Sequence, residues 1–104
     1  MSTVLHSLTS EEIIAALDDH ADRLRQLGAV RIGVFGSRRR GDTHAGSDLD
    51  ILIRLARPSF NAYMDIRLYL EDLFGCRVDL VLEDSLRPEL RDGILAEAIY
   101  ATRL

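Results

Sequence analysis

The sequence predicts one α/β domain, a small mixed three-stranded sheet with helices packed mainly on one face. Three observations carry that expectation. Short apolar runs alternate with period two at Val30–Phe35, Leu49–Ile53 and Arg77–Leu82, longer stretches between them repeat at helical spacing, and 104 residues with 47% hydrophobic content suffice for one core. No repeat, low-complexity tract or interdomain linker divides the chain, so residues 1–104 are expected to form a single unit, with residues 1–8 as a flexible tail.

Thr9 to Leu27 reads as the first helix. Thr9 and Glu12 match a capping box, Ile13, Leu17, Ala21 and Leu24 share one face, and Gly28 supplies a stop. Val30, Ile32 and Val34 then line one side of a first strand, and Leu49, Ile51 and Ile53 repeat that period in a second after a loop or short helix of about a dozen residues. Pro58 and Ser59 open another helix whose buried stripe is Tyr63, Ile66, Leu70, Leu73 and Phe74, ended by Gly75. A third strand covers Arg77 to Leu82, with Asp79 and Val81 facing away from Val78, Leu80 and Leu82. Pro88 begins a last helix, Glu89 to about Ala101, in which Leu90, Ile94 and Ala98 keep helical spacing despite Gly93. One face of such a sheet is thinly covered, leaving a cleft or a surface awaiting a partner.

Composition narrows the function. Thirteen basic against seventeen acidic residues give a formal charge of −4, which argues against a domain that coats nucleic acid. All the basic residues are Arg; without Lys, Schiff-base chemistry and a phosphate-loop lysine are excluded. The apolar runs are too short for a membrane span, and Met1 to Leu8 lacks the pattern of a signal peptide, so the cytoplasm is the expected location. Cys76 stands alone and reads as a packing residue, while His6, His20 and His44 show no metal spacing. Tyr63, Tyr69 and Tyr100 are placed on helices, in packing roles.

The anomaly lies at Ser47-Asp48-Leu49-Asp50-Ile51, where two carboxylates occupy a strand that otherwise reads as core. In an extended chain they share a face with α-carbons about 7 Å apart and can converge on one cation. Asp79 repeats the anomaly in the third strand, and neighbouring second and third strands would gather three acids on one face. Charge at an exposed strand end can merely solubilise an edge, but structural sheets rarely collect like charges. Gly36-Ser37 closes the first strand, where glycine permits close backbone approach and serine can bind a phosphate oxygen; Arg38, Arg39 and Arg40 follow. Gly36 and Gly41 have Walker spacing, but Asp42 stands where that motif needs Lys, and the EF-hand pattern fails after Asp48.

Gly36-Ser37, ten residues, then Asp48-Leu49-Asp50 resembles the signature of the DNA polymerase beta-like nucleotidyltransferase superfamily. With Phe35-Gly36-Ser37-Arg38, Arg40-Gly41-Asp42, Val78-Asp79-Leu80-Val81 and Glu97-Ala98-Ile99-Tyr100, nearly the whole chain resembles the minimal nucleotidyltransferase (MNT) antitoxins. The resemblance implies the polymerase beta-like fold, a HEPN-domain ribonuclease toxin as partner, and AMP transfer from ATP to a tyrosine of that toxin. It makes Asp48, Asp50 and Asp79 catalytic metal ligands for Mg²⁺, with two ions in the site. Gly36 and Ser37 would contact the triphosphate, and Arg38, nearest the turn, would balance charge on the leaving pyrophosphate. Two alternatives remain open: a non-catalytic antitoxin that binds and blocks the toxin, and transfer to a small molecule or an RNA end.

Overall fold

The computed structural model describes residues 9–35 and 49–104. The expected tail over residues 1–8 and the loop between the first two strands lie outside the described residues. In chain order the elements are helices α1 (Ser10–Asp19) and α2 (Ala21–Gln26), strands β1 (Ala29–Phe35) and β2 (Leu49–Leu55), helix α3 (Phe60–Phe74), strand β3 (Val78–Leu82), a 3₁₀ turn (Glu83–Ser85), helix α4 (Pro88–Glu97) and strand β4 (Ile99–Tyr100).

The sheet is mixed, in the order β3-β2-β1-β4, with β2 and β3 parallel and β1 antiparallel to both β2 and β4. It therefore has a fourth strand that the sequence reading missed. Ile99–Tyr100 falls inside the expected last helix, but α4 stops at Glu97 and Ala98 is extended, at φ −67° and ψ 142°. α4 buries no residue, so little packing holds further turns in place, whereas a β-branched and an aromatic residue gain by pairing with Gly33 and Val34. Tyr100 accordingly sits on a strand, not a helix.

The expected helix Thr9–Leu27 is two helices. Thr9 caps the first with a complete capping box: its hydroxyl accepts from the Glu12 amide at 3.1 Å, and Glu12 Oε1 accepts from the Thr9 amide at 2.8 Å. The break comes at His20, at φ −106° and ψ 17°. Asp18 and Asp19 place negative charge at a carbonyl-rich helix end, which the helix dipole disfavours, and the His20 ring is held instead by Tyr69, Nδ1 to Oη 2.6 Å.

α1, α2 and α3 cover one face of the sheet, as expected. Ile13, Leu17, Leu24, Ile66, Leu70 and Phe74 pack there on Ile32, Val34, Leu49, Ile51, Ile53 and Leu80. Val30, expected inside, is exposed. A bulge between Ala29 and Arg31 gives β1 an extra residue, so Ala29 takes the core position opposite Leu55. α3 is capped by the Ser59 hydroxyl, which accepts from the Ala62 amide at 3.1 Å, and ends at Gly75 in the left-handed region, φ 69°. Tyr63 and Leu73, expected in the buried stripe, are only half-buried. The other sheet face carries Arg31, Gly33 and Phe35 from β1, Asp50 and Leu52 from β2, and Asp79 and Val81 from β3, with Tyr100 beside Gly33.

Candidate nucleotidyl-transfer site

The parallel register places Asp50 directly opposite Asp79, with Leu49 opposite Val78 and Ile51 opposite Leu80 on the helix-covered side. Alternation turns both carboxylates to the face away from α1, α2 and α3, because their neighbours Leu49, Ile51, Val78 and Leu80 are drawn into the core. Asp50 is half-buried on an interior strand, and Asp79 is exposed on the edge strand. Adjacent strands lie only about 4.8 Å apart, so like charges directly opposite carry an electrostatic cost that a cation held between them would relieve. On its other side Asp50 pairs with Phe35, the last residue of β1. β1 thus ends at Phe35 and β2 begins at Leu49, and both of these strand ends lie beside the acid pair.

Gly36, Ser37, Arg38 and Asp48 lie outside the described residues, as do the following arginines and His44. Of the acids singled out in the sequence, the structure joins Asp50 and Asp79. Among the described residues no group of three or more His, Cys, Asp or Glu converges on a metal position. Asp50 and Asp79 nevertheless supply the hard oxygen donors that Mg²⁺ takes, and their place opposite each other in the register is the structural observation in favour of a cation.

About four residues further along the same face lies a second charged group that the sequence reading did not single out. Glu83, only 1% exposed, accepts two hydrogen bonds from the Arg31 guanidinium, Nε to Oε2 at 2.9 Å and Nη2 to Oε1 at 2.7 Å. The Arg31 guanidinium carbon also stands 4.7 Å from the centre of the Tyr100 ring, and Arg91 of α4 donates to the Glu83 carbonyl at 3.3 Å. The hydrogen bonds to Glu83 raise the Arg31 pKa, with burial opposing, and the Glu83 charge adds to the rise. Burial, and then the neighbouring Glu83 charge, push the Tyr100 phenol up from its ordinary value. Its hydroxyl is buried beside the Glu83 carboxylate but makes no well-formed hydrogen bond among the described residues.

Tyr100 fits because residue 33 is glycine. A Cβ there would lie 2.8 Å from Tyr100 Cδ1 and 2.9 Å from the Ile99 carbonyl oxygen. An isolated glycine inside a strand is the sequence signal for such a close approach. The other tyrosines keep the packing roles expected of them: Tyr63 donates to the Leu80 carbonyl at 2.7 Å, and Tyr69 bonds His20. Cys76 is half-buried against the core. No helix among the described residues is long and apolar enough to cross a membrane.

Residues 17–101 match the family model of the nucleotidyltransferase domain. The protein adenylyltransferase MntA of Thermococcus cleftensis is 43% identical over 95 residues, an alignment covering 89% of this chain and 96% of that protein. A solved structure described as a minimal nucleotidyltransferase superposes with a TM-score of 0.77 at 37% identity, over 89% of this chain and 96% of its own. A crystal structure of a toxin–antitoxin with AMP-PNP matches with a TM-score of 0.64 at 25% identity, over 90% of this chain and 73% of that one. The chain therefore belongs to the nucleotidyltransferase domain family and is a homologue of the MntA protein adenylyltransferase.

Proposed function

We propose that this single domain is a cytoplasmic antitoxin that transfers AMP from ATP to a tyrosine hydroxyl of a cognate HEPN ribonuclease toxin and thereby silences it. The observation that carries the reading is the register of Asp50 against Asp79, which sets two carboxylates side by side next to the end of β1. Support comes from the Gly36-Ser37 to Asp48-Leu49-Asp50 spacing, the identity to a protein adenylyltransferase and the likeness to a toxin–antitoxin that holds a nucleotide analogue.

Asp48, Asp50 and Asp79 would hold Mg²⁺. When bound, the metal supplies charge for the triphosphate and acidifies the attacking hydroxyl. Asp79, exposed on the edge strand, is the carboxylate open to an incoming protein and accepts the proton of the tyrosine hydroxyl. That oxygen attacks the α-phosphorus in line, the bond to the bridging oxygen breaks, and pyrophosphate leaves. Gly36 and Ser37 bind the triphosphate through amide and hydroxyl donors, and Arg38 offsets the charge that grows on the leaving group.

Incubation of the chain with labelled ATP, Mg²⁺ and the product of its neighbouring gene tests the proposal. Label on the partner's tyrosine is expected. Tight complex formation with no label transferred would favour a blocking antitoxin instead.

A further inference from the structure

Asp50 and Asp79 lie opposite each other in the register at one end of β2 and β3, and among the described residues β3 pairs only with β2, so the sheet holds it from one side. At the other end of the same face, the carboxylate of Glu83, the residue after β3, is gripped by Arg31 of β1. The contact passes over β2, where Arg54 is the register partner of Arg31. Arg31 is in turn stacked on Tyr100 of β4, whose ring is seated over Gly33 of β1. Glu83, Arg31 and Tyr100 thus form a continuous chain of contacts from one sheet edge to the other, four residues, or about 13 Å, from the acid pair.

Stability alone is a poor reason for this arrangement. Burying a carboxylate carries a desolvation penalty that a well-formed ion pair only offsets, and apolar side chains of similar volume are commonly as stable. The planar fork does fix distance and angle between its partners, as a greasy contact does not. We propose that the Glu83–Arg31–Tyr100 chain is a positioning brace: it holds β3 at a set distance and twist against β1 and β2, and so sets the geometry of Asp50 and Asp79 for transfer. The inference rests on the nucleotidyl-transfer reading of that acid pair. Glu83 and Arg31 act through the strands they join and touch no substrate.

The test is a double variant, Arg31→Met with Glu83→Leu, which keeps bulk and removes both charges, alongside Arg31→Lys, which keeps charge and loses the fork. Each is assayed for AMP transfer to the partner and for thermal unfolding. A brace predicts a double variant at least as stable as wild type, with kcat lowered fivefold or more and KM for ATP within threefold. Arg31→Lys should show the same split and carries the test if the double variant fails to fold. A folded variant whose kcat falls less than fivefold overturns the brace while leaving the function standing. Wild-type protein that transfers no AMP overturns the functional reading, and the brace's catalytic role with it.

Discussion

Asp50 and Asp79 face each other in register across two parallel strands, so the carboxylates of an interior strand and an edge strand share the sheet face opposite α1, α2 and α3. In a sheet without function this pairing is a cost, since like charges directly opposite destabilise it. With a divalent cation the same pairing is a source of affinity.

The first consequence is a reversal of sign with metal. In chelator, Asp79→Asn should leave the fold as stable as wild type or more so, by about 0.5 kcal/mol, as a like charge opposite Asp50 is removed. With Mg²⁺ at a hundredfold its dissociation constant, wild type should gain about 2.7 kcal/mol, and Asp50→Asn and Asp79→Asn should each lose most of that gain. AMP transfer should drop at least a hundredfold in each. Thermal melts with and without Mg²⁺ check the stability part, and equal Mg²⁺ stabilisation of wild type and variants would contradict the assignment.

Gly33→Ala should be costly although alanine suits a strand no worse than glycine. Its Cβ would stand 2.8 Å from the Tyr100 ring and 2.9 Å from the Ile99 carbonyl. Overpacking of this kind costs about 2 kcal/mol, and here the backbone oxygen cannot simply swing aside. Urea denaturation should show a lower midpoint with an unchanged slope. A neutral result would mean that Tyr100 does not pack over β1.

Tyr100→Phe should be close to neutral near pH 7, within about 1 kcal/mol either way, because the buried hydroxyl lies beside the Glu83 carboxylate without a well-formed hydrogen bond among the described residues. The pH dependence adds a second signature. Burial raises the Tyr100 pKa above its ordinary value of 10.0, so above pH 10 the folded state holds a proton that the unfolded state releases. Stability from this group is complete below pH 10 and falls as pH rises toward the folded-state value. Unfolding free energy measured between pH 9 and 11 should decline less steeply in Tyr100→Phe than in wild type.

Gly75→Ala tests the end of α3. Gly75 ends the helix at φ 69°, and its amide donates to the Glu71 carbonyl at 2.8 Å. Any side chain is strained in that left-handed region, so a loss of about 1 kcal/mol is expected with AMP transfer per folded molecule unchanged. Thermal unfolding and transfer assays on the same sample separate the two.

The parts of this molecule that were legible in the sequence are those where local signals agree. Thr9 and Glu12 give the start of α1, Ser59 and Gly75 bracket α3, and the alternation around Leu49, Ile51 and Ile53 gives β2 and the face of Asp50. The misreadings share one cause, which is that contacts distant in sequence overrode local pattern. His20 breaks the first helix where Tyr69, 49 residues away, holds its ring. Val30 leaves the core because a bulge inserts it. Ile99 and Tyr100 fall within the expected last helix but pair with β1, where the glycine at position 33 leaves room for the Tyr100 ring. Asp79 could be listed as a third acid from its alternation, but its place opposite Asp50 follows only from the parallel pairing of β2 and β3. The Arg31–Glu83 pair, 52 residues apart, carries no sequence signature at all.

The measurement closest to the central claim is the mass of the partner toxin and its fragments after incubation with the chain, ATP and Mg²⁺. AMP on a tyrosine is expected with wild type and not with an Asp48→Asn, Asp50→Asn double variant that still binds the toxin. An unmodified toxin held in a tight complex by wild type, or equal modification by the double variant, would contradict it.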